Sequence, residues 1–136
     1  MARGRKPELA AIEGGLSKAA PAPSWLPDDA KKEWRRVMPG LARRRVLAAE
    51  DLATLENYCL AVGQIREGQR DIATQGRYVK SAEGVPRPHP AMRVIHTAMT
   101  QARQLAGELG LTPVARARMG TGEKATDDGW GDLVDG

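Results

Sequence analysis

A mainly α fold is predicted: a helical hairpin core preceded by a short N-terminal helix, with a small β-hairpin at 76–87 and flexible termini. Three observations predict it. Apolar residues recur at helical steps in two long stretches, 52–72 and 92–109. Proline and glycine stand where helices start and stop. Only 4% of the 136 residues are aromatic and none is Phe, so the core has few large side chains to fill it. A chain of this size buries proportionally little surface, and its apolar stripes are expected to pack partly against other copies of itself.

Residues 1–24 hold Gly, Pro, Ala and Lys/Arg without periodicity and read as a flexible basic arm. The first helix is expected at 28–38. Asp28 and Asp29 put negative charge at its start, Pro27 precedes them, and Pro39-Gly40 ends it. Trp25 and Leu26 are expected to fold back on Trp34 and Val37 across the helix start. The run Arg43-Arg44-Arg45 then falls in a basic connector, which makes 25–48 one unit.

A second helix is expected over roughly 49–75. From Leu55 the steps to Tyr58, Val62 and Ile65 are 3, 4 and 3. Gly63 and Gly68 weaken it by about 1 kcal/mol each relative to Ala, unless they mark a neighbouring helix packed close. Tyr78 and Val79 are strand formers set off by Gly76 and Gly84, hence the β-hairpin.

The third helix begins in GVPRPHPAMRVIH, residues 84–96. Pro90 suits the first helical position, where its missing N–H costs nothing, and His89 is the expected cap. Met92, Ile95, Met99, Ala102, Ala106 and Leu109 follow in alternating steps of 3 and 4, and Gly110 is placed to end the helix. Thr112-Pro113 starts a short last helix. The segment 49–119 thus reads as a helical hairpin that also carries oligomerisation. Its expected interface residues are Leu55, Tyr58, Val62, Ile65, Met92, Ile95, Met99, Leu105 and Leu109.

Catalytic and metal signatures are missing. His89 and His96 lie seven residues apart, about 10 Å along a helix, too far for one zinc at about 2.1 Å from each without strain. No Asp, Glu or Cys stands three or four residues beyond either histidine. Residues 11–20 carry Gly-Gly and a lysine but no phosphate-loop pattern. Adjacent acids at 28–29, 50–51 and 127–128 suit helix starts and a tail. Cys59, the only cysteine, sits on an apolar stripe as an inert thiol and fits a reducing, cytosolic setting. No catalytic residue, metal or cofactor is expected.

Binding features are stronger. Residues 1–118 carry 20 Lys/Arg against 12 Asp/Glu, whereas residues 119–136 carry Lys124 against five acids. A basic body implies an anionic partner, and the acidic tail a different one. Arg3, Arg5 and Lys6 lie in RGRKP, which is similar to the Arg-Gly-Arg arms that enter DNA minor grooves. Lys31 and Arg35, like Lys32 and Arg36, are four apart and form one ridge. With Arg43, Arg44 and Arg45 they make the expected phosphate-facing surface. In the tail, 120–136, Trp130, Leu133 and Val134 share a spacing that suits a docking peptide amid acids.

These stretches resemble the small subunits of bacteriophage DNA-packaging terminases. The resemblance runs through GRKP, WLPDDAKKEW, DLATLENYC and HPAMRVIHTAMTQARQLAGELGLTPVARARMG, covering most of residues 4–120. HPA…LAGELGLTP…RARMG is its most specific part. Family members often carry Thr or Ser before the second helix, where Ala48-Ala49 stand here. The resemblance implies a non-enzymatic protein of the host cytoplasm that assembles into a homo-oligomeric ring and recognises the packaging-start site on double-stranded viral DNA. It also implies that the chain recruits the large terminase subunit and regulates that subunit's ATPase and nuclease. A dimeric, helix-turn-helix-like transcription regulator and a structural coiled-coil adaptor are the alternatives.

Overall fold

The computed structural model describes residues 15–16 and 18–118. Four helices and one β-hairpin follow in order: α1 (Asp28–Arg44), α2 (Leu52–Gln75), β1 (Tyr78–Lys80), β2 (Pro86–Pro88), α3 (Pro90–Glu108) and α4 (Pro113–Arg118). A single 3₁₀ turn, Ala49–Asp51, leads into α2. The mainly helical fold with one small antiparallel hairpin is as expected. No described helix is long and apolar enough to cross a membrane.

Helix α2 is the middle of the fold, packed against α1 on one side and α3 on the other. One continuous core joins the three. It runs from Leu26, Trp34 and Leu41 through Leu55 and Cys59 to Ala98, Ala102 and Leu109. Residues 25–48 and 49–118 therefore share one interior. Large side chains are scarce, so the helices approach closely instead. A methyl group added at Gly63 would lie 3.1 Å from the backbone nitrogen of Ala30, and one at Gly68 would lie 2.8 Å from Ile95 Cγ1. The two glycines of α2 mark its contacts with α1 and α3.

The seam residues divide by burial. Leu55, Tyr58, Ile95 and Leu109 are covered by the chain's own helices. Val62, Ile65, Met92 and Leu105 are half-buried, and Met99 keeps 42% of its surface. Among the expected interface residues, only this second group keeps much surface outside the chain's own core.

Helix α1 corrects the expectation. It does not stop at Met38 but continues through Pro39 to Arg44. A proline inside a helix removes one hydrogen bond and costs about 3 kcal/mol. Pro39 is on the exposed side, where water can solvate the carbonyl it leaves unpaired. Beyond it Leu41 and Ala42 are buried, as is Met38 just before it. At about 1.5–3 kcal/mol for a large apolar side chain, the burial of Leu41, with a smaller part from Ala42, offsets most of the break. The helix ends at Arg45, which takes a left-handed conformation (φ 54°) while its N–H bonds to Ala42 and that of Val46 to Leu41. Helix α3 ends in the same bond pattern, with Gly110 at φ 73° and Leu111 N–H bonded to Ala106.

The remaining signals act locally. His89 caps α3, its Nδ1 accepting from Ala91 N–H at 2.9 Å, with Pro90 in the first turn. Thr112 caps α4, accepting from Ala115 N–H at 3.1 Å. Without a Ser or Thr before α2, the Asp51 carboxylate accepts from Ala48 N–H at 3.0 Å and holds the 3₁₀ turn. Leu26 is buried against α1 as expected, but Trp25 is 58% exposed. The indole that does bury is Trp34, whose Nε1 donates to the carbonyl of Ala20 at 2.8 Å and pins the preceding segment.

Two alanine substitutions separate helix preference from packing. At Gly40, inside α1, a methyl group meets only the Arg43 guanidinium at 3.7 Å, so Gly40→Ala is expected to stabilise by about 0.5–1 kcal/mol. Gly63→Ala gains the same preference but forces α1 and α2 apart, and is expected to destabilise by about 1–3 kcal/mol of overpacking less that gain. Thermal melts of the two variants should therefore move in opposite directions.

Candidate nucleic-acid interface

The course of α1 decides where its cations lie. Because the helix continues past Pro39, Arg43 follows Lys32 by eleven residues, about three turns or 16 Å, on the same face. Lys32, Arg35, Arg36 and Arg43 are all exposed, opposite the buried Ala30, Trp34, Val37 and Leu41. The expected ridge and the expected arginine connector are thus one helical stripe. Lys31, Arg44 and Arg45 are half-buried at its margin. Arg44 reaches across to the carbonyl of Gly110 at 3.3 Å and ties the end of α1 to the end of α3. Arg3, Arg5 and Lys6 of the arm, and Trp130, Leu133 and Val134 of the tail, lie outside the described residues.

Arg36 differs from its neighbours. Its guanidinium grips Glu33 with two bonds, Nε to Oε1 at 2.9 Å and Nη2 to Oε2 at 2.6 Å. Glu33 is only 3% exposed, and a buried carboxylate needs its charge met. The Tyr58 hydroxyl supplies the third bond, donating to Oε2 at 2.6 Å from α2. Burial pushes the Glu33 carboxyl up, but the bonds from Arg36 and Tyr58 prevail and hold it below its ordinary 4.5. Burial, and then Glu33, raise the Tyr58 hydroxyl well above its usual range. Burial, helped by the nearby Glu33 charge, pushes the Cys59 thiol up to about 12, so it stays protonated and unreactive.

A second ion pair joins Asp29 to Arg70 of α2 across the surface, with contacts of 3.2 and 2.5 Å. The Arg70 hydrogen bond draws the Asp29 carboxyl below its usual value. These are the two ion pairs among the described residues. Lys32, Arg35 and Arg43 form no ion pair there, although the Lys32 charge is felt by the nearby Asp29 carboxylate, and the stripe presents a net positive face to solvent.

Sequence reasoning passed over a further set of cations. Arg77, Lys80, Arg87 and Arg93 are scattered in the chain, but the β-hairpin and the start of α3 bring them to one end of the molecule. Arg87 pairs with Val79 in the hairpin, and the Pro88-His89-Pro90 corner that follows it leads to Arg93. Among the described residues no group of three or more His, Cys, Asp or Glu side chains gathers to hold a metal. His96 is exposed and His89 is engaged as a cap.

The family described as phage terminase, small subunit, matches residues 30–126, well over half of the chain. The chain belongs to the phage terminase small-subunit family. The match begins on α1 and takes in the whole described helical core, so the stripe and the hairpin are both parts of the small-terminase domain. No curated protein and no solved structure matches the chain.

The Glu33 cluster is a structural hinge between the stripe and the core. Glu33→Ala leaves the Tyr58 hydroxyl without an acceptor and is expected to cost about 1–3 kcal/mol; Glu33→Gln keeps an acceptor and should cost less. The Glu33 pKa is lowered in the folded state. Its stabilisation is therefore present above the ordinary value of 4.5 and is lost as pH falls through the lowered one. Melts from neutral pH to about pH 3 should show the gap between wild type and Glu33→Gln closing on the acid side.

Proposed function

We propose that this small-terminase chain is the non-enzymatic DNA-recognition subunit of a phage packaging motor. In this reading it assembles into a ring, binds double-stranded viral DNA at the packaging-start site, recruits the large terminase subunit and regulates its ATPase and nuclease. The observation that carries the DNA-binding part is the exposed stripe Lys32–Arg35–Arg43, without an ion pair among the described residues, on a chain of this family. Cations spaced along a rigid helix suit a regularly charged backbone, and contacts of this kind position a protein on DNA without reading bases.

Assembly follows from affinity. A stripe that neutralises two or three phosphates gives a salt slope of about −2 to −3, which is weak binding for one subunit. Several subunits on one ring raise the effective concentration of each further contact. The surface available for such packing includes the half-buried Val62 and Ile65 and the exposed Met99. Leu60 and Leu105 also floor a groove of about 480 Å³ between α2 and α3, edged by Gln64, Gln101 and Gln104. The acidic tail, with Trp130, Leu133 and Val134, is proposed as the dock for the large subunit.

The helix-turn-helix alternative needs a recognition helix free to enter a groove. Helix α2, the one after α1, is covered on two sides and buries Leu55, Tyr58, Cys59 and Ala61. That burial favours the packaging reading over the regulator.

Charge reversal of the three exposed cations, Lys32→Glu, Arg35→Glu and Arg43→Glu, is expected to abolish DNA retention in a gel shift without changing the mass seen by light scattering. Retention equal to wild type would reject the α1 stripe. A wild-type chain that stays monomeric and ignores DNA in dilute salt would reject the function itself.

A further inference from the structure

The corner that starts α3 also builds a charged groove. Arg87 comes from β2 and Arg93 from the first turn of α3. The two line one open groove of about 430 Å³, together with Pro88, His89, Pro90 and Met92. Both arginines are exposed, and among the described residues neither is paired with a carboxylate. Segment 76–93 carries Arg77, Lys80, Arg87 and Arg93 against one acid, Glu83, which accepts from the Ser81 hydroxyl in the turn.

The groove is held on a fixed frame. His89 bonds through Nε2 to Gln75 Oε1 at 2.7 Å, through Nδ1 to Ala91 N–H at 2.9 Å, and its own N–H donates to the carbonyl of Arg77 at 2.7 Å. One side chain thus joins the end of α2 to the start of α3, and its backbone closes the hairpin. Pro86, Pro88 and Pro90 further restrict the backbone beside Arg87. Such a frame lowers the ordering cost of binding.

The attraction comes from side chains rather than from the helix end. Pro90 has no N–H, the N–H of Ala91 is taken by His89 Nδ1, and that of Met92 by the His89 carbonyl. Guanidinium groups match phosphate oxygens in geometry as well as charge. The groove is open, not enclosed, and its charge is that of Arg87 and Arg93, since the strand register puts Lys80 on the opposite face of the hairpin from Arg87. Charge spread along an open edge suits a repeating anion better than a single small one.

We infer that the Arg87–Arg93 groove is a second contact for the phosphate backbone of duplex DNA. This rests on the DNA-binding reading above and adds a place to it. Arg43 lies near the start of α2 and the groove at its end. The 24 residues of α2 separate them by about 36 Å along the helix axis, about one turn of duplex. DNA is then gripped at both ends of the helical hairpin instead of at α1 alone.

The test compares the full chain with the double variant Arg87→Ala/Arg93→Ala, using fluorescence anisotropy on a random-sequence duplex of about three turns across a salt series. The expected result is a salt slope shallower by about 2, from 0.9 per phosphate, and an affinity loss of roughly tenfold or more at low salt. Arg87→Lys/Arg93→Lys should keep the slope, which a purely structural role would not predict. Unchanged slope and affinity in the alanine pair, while the Lys32/Arg35/Arg43 reversal still loses DNA, would overturn the groove and leave the α1 contact standing. No DNA retention by wild type would overturn both. An alanine pair that keeps DNA but loses the large subunit or its own oligomer would assign the groove to protein, and equally overturn the inference.

Discussion

The two-sided burial of α2 is the constraint from which the rest of the molecule follows. A chain without Phe has few bulky groups with which to fill the space between helices. The distance between helices must shrink instead, and dispersion contacts then come from backbone and small side chains. Gly63 lets α1 approach on one side and Gly68 lets α3 approach on the other. Once α2 is covered on both sides, α1 has one face left for water, and its cations collect there. The hairpin must reverse the chain between α2 and α3, which places Arg87 next to Arg93.

Polar groups inside this core serve the same arrangement. Glu33 is an unusual residue to bury, and its carboxylate would be costly without partners. Arg36 meets it from the same helix and Tyr58 from α2, so its bonds join the two helices in one register. The network also separates two kinds of arginine on α1. Arg36 has its charge answered within the fold, whereas Arg35 and Arg43 form no ion pair among the described residues. Adjacent positions in the chain thus stand in different surroundings, and a count of basic residues does not distinguish them.

Much of the fold was legible. The 3-and-4 stepping in 52–72 and 92–109 identified α2 and α3, and the His89-Pro90 start and Gly110 stop bounded α3 within a residue or two. The end of α1 was misread because its local signals contradict its structure. Proline and glycine stand inside the helix, while its left-handed terminal residue is Arg45, where glycine is the usual signal. The α1 cations were legible as a ridge, since residues four apart share a face. The hairpin cations were not, because no short-range pattern relates residues 80, 87 and 93.

By itself the sequence determined which segments become helices and where the charge is stored, since helical periodicity, caps and composition act over one or two turns. Tertiary structure decided the continuation of α1, the partners of Glu33 and the meeting of Arg87 with Arg93. Each of these depends on contacts between residues remote in the chain. Burial of Leu41 and Ala42 beyond Pro39 offsets much of a local preference to stop. Bonds from His89 to Gln75 and to the Arg77 carbonyl hold the corner that sets Arg87 and Arg93, six residues apart, on one groove.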